Sequence, residues 1–126
     1  MLCVKIAEKG KKVTENFSED EFACRCCGSL LLHPELLRKL EAMRFAAGAP
    51  VIVTSGYRCQ DYNKVVGGAA NSYHTFGMAA DVFVNGVSTQ RLAELAEDVG
   101  FDGIGIYPDQ AFVHVDVRGY RTRWEG

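Results

Sequence analysis

From Pro34 to Ala47 the apolar residues Leu36, Leu37, Leu40, Met43 and Ala47 recur at helical spacing, with Pro34 suited to a first turn and Gly48 to a stop. This predicts a helix that packs into a core along one face. The rest of the chain supplies short β-branched runs to cover that face. Residues 51–54 (Val-Ile-Val-Thr) read as a strand entered through Pro50 and ended by Ser55-Gly56. Residues 80–84, 103–107 and 111–117 read as three more, the last two separated by the turn Pro108-Asp109-Gln110. A second helix is predicted over residues 60–66, stopping at Gly67-Gly68. A third runs from the cap Ser88 to Val99, with Leu92, Leu95 and Ala96 inward and Gly100 at its end. Near the N-terminus Ser18 and Glu21 have capping-box spacing, and Phe17 and Phe22 flank that turn as a hydrophobic staple. The pattern predicts an α+β fold, a small antiparallel sheet flanked by helices.

At 126 residues and 48% hydrophobic content, residues 1–126 are read as one domain with an ordinary core. The 14 basic and 16 acidic residues leave a formal charge of −2, which argues against nonspecific nucleic-acid binding. Met1 to Ile6 is followed by Lys9, Lys11 and Lys12, so no apolar segment has the length of a signal peptide or a membrane span. The expectation is a monomer made in the cytoplasm, without membrane insertion. Five cysteines (Cys3, Cys24, Cys26, Cys27, Cys59) make an odd number, and the crowding of Cys24, Cys26 and Cys27 makes disulfides among them awkward. A Cys-rich zinc site is the alternative, but the paired CxxC spacing is incomplete. Reduced cysteines packing a turn are therefore expected.

The chain has three histidines. His33 precedes Pro34 and reads as a structural or capping residue. The other two sit near acids, His74 ahead of Asp81 and His114 ahead of Asp116. Two imidazoles and a carboxylate give three protein ligands for zinc and leave a fourth position open, as a hydrolytic site requires. Asp81 starts one predicted strand and His114 lies within another, so adjacent strands can present both on one face, with His74 reaching in from the loop at residues 68–77.

The ordered set Ser55-Gly56-Tyr57-Arg58, Tyr62-Asn63, Val66-Gly67-Gly68, Ser72, His74, Gly77, Ala79-Ala80-Asp81 and Phe112-Val113-His114-Val115-Asp116 resembles the zinc D-Ala-D-Ala carboxypeptidase family, whose fold is shared with hedgehog signalling domains. The match spans about half the chain. The resemblance implies that His74, Asp81 and His114 bind Zn2+, and that Arg58 steadies substrate or a developing oxyanion, a role suited to a permanently charged guanidinium. Several family members carry an acid three residues before the last histidine ligand, where this chain has Ala111. Asp116 is the leading substitute as general base, because residues two apart on a strand share a face, and Asp109 is a weaker candidate. Asp116 has a competing role as the carboxylate that orients a ligand.

The implied substrates are peptidoglycan stem peptides or cross-links, cut by carboxypeptidase or endopeptidase action. Without a signal peptide, the chain reaches the wall by lysis, by another export route or as part of a longer protein, which favours a phage or prophage lysis enzyme. The rival is a zinc-binding or metal-free interaction module of the same fold, kept open by Ala111. Asn63 and Ser72 are expected to brace the loop bearing His74. Ser55 and Ser72 lack the base and oxyanion motif of a nucleophile. Tyr57, Tyr62, Tyr73 and Tyr107 are candidates for a peptide groove or for core packing.

Overall fold

A computed structural model of the chain describes residues 4–69 and 72–126. Two small hairpin-like pairings occupy the N-terminal quarter. β1 (Lys5–Ile6) pairs antiparallel with β4 (Ser29–Leu30), and β2 (Lys12–Thr14) pairs antiparallel with β3 (Phe17–Ser18). Between them α1 (Glu19–Phe22) is a single turn. The Glu21 carboxylate accepts the Ser18 N–H at 2.7 Å, and the Phe17 and Phe22 rings meet with centroids 5.7 Å apart, as box and staple require.

α2 (Pro34–Ala47) has the predicted bounds. His33 caps it, its Nδ1 accepting the Glu35 N–H at 3.1 Å, and Gly48 ends it in the left-handed conformation. β5 (Ile52–Ser55), α3 (Gln60–Val65), β6 (Ala79–Phe83), α4 (Thr89–Val99), β7 (Gly103–Tyr107), β8 (Phe112–Asp116) and β9 (Thr122–Glu125) complete the chain.

The main sheet has the order β5-β6-β8-β7-β9. It is antiparallel except at its edge, where β9 runs parallel to β7, so the expected antiparallel sheet is corrected at one strand. Residues alternate between its two faces. Ala80, Val82, Ile104, Val113 and Val115 are buried on one face and join Leu36, Leu40 and Met43 of α2 and Leu92, Leu95 and Ala96 of α4 in one core. Burying that face leaves the other to carry chemistry. Among the described residues, no helix is long and apolar enough to cross a membrane.

Candidate metal centre

Strand register assembles the site. Across the sheet, Ser55 lies opposite Asp81, Asp81 opposite His114, His114 opposite Gly105, and Gly105 opposite Trp124. Directly opposed residues share a face, so this row puts a carboxylate, an imidazole and an indole side by side. The neighbouring row is Ala79, Asp116, Gly103 and Thr122.

His74 arrives from a one-turn 3-10 helix, Tyr73–Phe76. The Ser72 hydroxyl accepts the His74 N–H at 3.3 Å, and Gly77 closes the turn at φ 70°. A side chain at Gly77 would also run into the Leu31 carbonyl, so this position needs glycine twice over. Asn63, almost fully buried, braces the preceding loop by donating to the Ala69 carbonyl at 2.7 Å. Residues 70 and 71 of that loop lie outside the described residues.

The three expected ligands converge. His74 Nε2 lies 3.3 Å and His114 Nδ1 3.1 Å from Asp81 Oδ1, and the donor atoms of all three residues fall within 4.8 Å of one another. In a tetrahedral zinc site with bonds of about 2.0–2.1 Å, ligand atoms stand about 3.3 Å apart. The spacing fits, and so does the orientation of each ring. His74 Nδ1 lies 2.7 Å from the Gly56 carbonyl, which can only accept, so Nδ1 carries a proton, and once the ring is neutral its Nε2 lone pair turns to the centre. His114 directs Nε2 to Asp116 Oδ2 at 2.7 Å, which leaves Nδ1 toward the same centre. Each imidazole is thus held from behind by an acceptor, the usual arrangement for metal-ligating histidines.

Electrostatics follow from these contacts. Burial opposes ionisation of Asp81, but hydrogen bonds from His114 and His74 outweigh it and hold the carboxyl well below the usual carboxylate range. Burial also disfavours the charged form of His114, yet the flanking carboxylates of Asp116 and Asp81 outweigh it and raise the imidazole above its ordinary value. Without metal, the centre is a carboxylate trapped between two imidazoles.

Asp116 stands one row away from Asp81, on the far side of the His114 ring. It is fully buried and sits behind His114, absent from the cleft wall. Its oxygens are occupied by His114, by the Gly103 N–H at 3.1 Å and by Arg118, whose Nε and NH2 donate at 2.9 and 2.6 Å. A side chain at Gly103 would overlap this carboxylate, so the bare backbone there makes its place. Of the two roles expected for Asp116, these contacts suit the carboxylate that orients His114. Asp109, the weaker candidate, is exposed on the 3-10 turn between β7 and β8 and also lies outside the cleft.

The cleft itself is about 500 Å3 and is lined by all three expected ligands and by Arg58. Arg58 donates to Ser55 Oγ at 3.2 Å, Asn63 Oδ1 at 3.4 Å and Asp81 Oδ2 at 3.3 Å, so its guanidinium is aimed at the metal centre by three acceptors. Tyr73 and Tyr107 do line the groove, whereas Tyr57 and Tyr62 do not. Arg118, Trp124 and Phe112 are among the lining residues that the sequence did not point to. Arg118 stacks over the Tyr73 ring at 4.5 Å, Trp124 lies 5.1 Å from the His114 ring and donates to Tyr107 Oη at 2.8 Å, and Phe112 stacks on Tyr107 at 4.6 Å. Arg118 had a usable signal in its position two residues past Asp116. Trp124 had none, since the segment around it is polar and shows no clear period.

The pattern of the Peptidase M15 family matches residues 9–116. The chain belongs to the Peptidase M15 family. Its relatives include the peptidoglycan L,D-endopeptidase MepK of Escherichia coli (strain K12), 34% identical over 100 residues, covering 74% of this chain and 54% of the relative. The probable peptidoglycan L,D-endopeptidase MepK of Haemophilus influenzae is 34% identical over 103 residues, covering 75% and 55% respectively. The zinc D-Ala-D-Ala carboxypeptidase of Streptomyces albus G is 43% identical over 67 residues, covering 52% of this chain and 26% of that enzyme. The chain thus spans about half the length of the MepK relatives it matches.

Proposed function

We propose that this chain is a zinc-dependent peptidase acting on peptidoglycan stem peptides or cross-links, with His74, Asp81 and His114 as the metal ligands. The observation that carries the reading is the convergence of His74 Nε2 and His114 Nδ1 on the Asp81 carboxylate within an open cleft. The names of the relatives, peptidoglycan endopeptidase and zinc carboxypeptidase, support the same substrate class. Zinc at such a site supplies Lewis acidity toward a carbonyl and acidifies water.

The chain's own residues do the rest. Gly56 O and Asp116 hold the two rings in the tautomers that present a lone pair to the centre. Arg58 directs its guanidinium to the edge of the centre, where oxyanion charge develops on a scissile carbonyl. The aromatic walls at Tyr73, Tyr107 and Trp124 suit an extended peptide, and the cationic Arg58 and Arg118 suit the carboxylates that stem peptides carry.

The deciding experiment is metal analysis of the purified chain together with digestion of purified peptidoglycan, with His114→Ala as control. Bound zinc, released peptides, loss of both in the control and loss of activity on chelation are expected. A chain without zinc that releases no peptide at any pH overturns the reading. Product masses assign the cut bond, separating L,D from D,D cleavage. Arg58→Lys is expected to keep its zinc while lowering kcat about 10^2- to 10^3-fold, because an ammonium lacks the fork that reaches Ser55, Asn63 and the cleft together.

A second reading, a metal-holding module without turnover, has one observation in its favour. Among the described residues, Asp81 is the only carboxylate lining the cleft. It predicts full zinc occupancy and no released peptides.

A further inference from the structure

The cysteines around the turn at residues 25–27 are free, and they form one cluster with Cys59. Of the four described ones only Cys24 is buried, while Cys26 and Cys27 are exposed, and Cys59 joins them from the start of α3 (Cys3 lies outside the described residues). All four sulfurs lie within 4.8 Å of one another. Cys26 Sγ stands 3.6 Å from Cys24 Sγ and 3.3 Å from Cys59 Sγ. In a tetrahedral zinc–thiolate site with bonds of about 2.3 Å, sulfurs are separated by about 3.8 Å. We propose that Cys24, Cys26, Cys27 and Cys59 form a second metal site, a structural tetrathiolate centre for zinc, separate from the centre at His74, Asp81 and His114.

Three features favour a metal over other fates of these thiols. A disulfide gives each sulfur one partner, whereas Cys26 Sγ approaches two others at once and the fourth closes the cluster. Two backbone N–H groups already point at sulfur, Cys59 N–H to Cys24 Sγ and Tyr62 N–H to Cys59 Sγ, both at 3.4 Å, the kind of donor that stabilises thiolate charge around a metal. The exposed Cys26 and Cys27 leave an entry path from solvent. Binding exchanges up to four thiol protons, released to water, for one divalent ion, with no change of oxidation state.

The site joins segments that the catalytic cleft depends on. Residues 24–27 follow α1, and Cys59 directly follows Arg58. The intervening backbone is shared: Tyr57 N–H donates to Phe22 O at 2.8 Å, Arg58 N–H donates to His74 O at 3.1 Å, and Gly56 O holds the His74 ring. A thiolate-bound zinc staples this segment to the N-terminal turn and so fixes the support beneath Arg58 and His74.

The test uses the full chain with the first centre removed by Asp81→Ala and His114→Ala together, purified under reducing conditions. One zinc per chain, displaced by a mercurial reagent that titrates the cysteines, is expected, with a sulfur-only shell by X-ray absorption. Cobalt in its place gives intense sulfur-to-cobalt charge-transfer absorption. Since this variant leaves every cysteine intact, the result is independent of whether the peptidase reading holds. A variant that binds neither zinc nor cobalt while all four thiols remain free overturns the proposal, as does a disulfide within the cluster in protein purified without reductant. As a converse arm, Cys26→Ser with Cys59→Ser is expected to lose one of two zinc ions, and retention of both contradicts the site.

Discussion

Asp81→Ala is expected to remove zinc from the His/Asp centre and to lower kcat/KM on peptidoglycan fragments by at least about a thousandfold. The reasoning starts from its position. His74 Nε2, His114 Nδ1 and the Arg58 guanidinium all approach one carboxylate, which is 6% exposed. Truncation removes one of three proposed ligands and the only negative charge that draws two imidazoles together. Losing metal-derived stabilisation of several kcal/mol, of which about 4 kcal/mol equals a thousandfold, sets the size of the effect. Asp81→Asn keeps the shape and separates charge from volume: zinc affinity falls while the fold stays. Calorimetric zinc titration of both variants beside wild type checks the prediction. Wild-type affinity in Asp81→Ala would remove this residue from the ligand set.

Asp116→Ala is expected to be the most destabilising single change at the site. It strips the partner from Arg118, whose side chain is 13% exposed, and leaves the Gly103 and Arg118 N–H groups and the His114 ring without their acceptor. Removing one member of a buried ion pair costs about 3–5 kcal/mol, on the order of 10–20 °C in Tm for a domain of this size. Zinc affinity at the His/Asp centre is expected to fall about 10- to 100-fold as well, the usual effect of losing a carboxylate that orients a ligand histidine. Asp116→Asn discriminates between the two roles weighed for this residue. A positioning role lowers zinc affinity, whereas a general base leaves zinc untouched and lowers kcat about 10^2- to 10^4-fold.

Acid titration of metal-free protein adds a third readout. Burial opposes ionisation of Asp116, but His114 and Arg118 outweigh it and depress the folded-state value. The stability this contributes is therefore present above the unfolded value, about 3.9, and is lost as pH falls below it. Asp116→Asn should flatten that acid limb.

What could be read from the sequence divides along physical lines. α2 and α4 announced themselves by apolar spacing and by caps at both ends, and β5 to β8 by β-branched runs between turn residues. β1, β3 and β4 are two residues long, too short for any period to register, and β9 is polar because it closes an edge. The parallel pairing of β9 with β7 depends on where the loop after β8 returns, which local preference does not encode.

At the site, strand alternation correctly put Asp116 on the same face as His114. Which side of the imidazole it occupies is set by Gly103 across the strand pair, and by Arg118, neither of which alternation alone reveals. The cysteines show the same limit more strongly. Cys59 lies 35 residues beyond Cys24, so the incomplete CxxC spacing is completed only by folding.

The paired glycines of β7 have a consequence for anyone trying to harden this protein. Gly103 makes room for the Asp116 carboxylate and Gly105 for the Trp124 indole, since a side chain at either position would overlap them. Glycine weakens a strand, so a stabilisation campaign guided by strand preference would nominate both positions for valine or threonine. Both replacements would displace the carboxylate and the indole that flank His114. The softness of this strand is the hollow in which the supports of His114 sit, and a chain hardened there would be sturdier only by losing the geometry of the His/Asp centre.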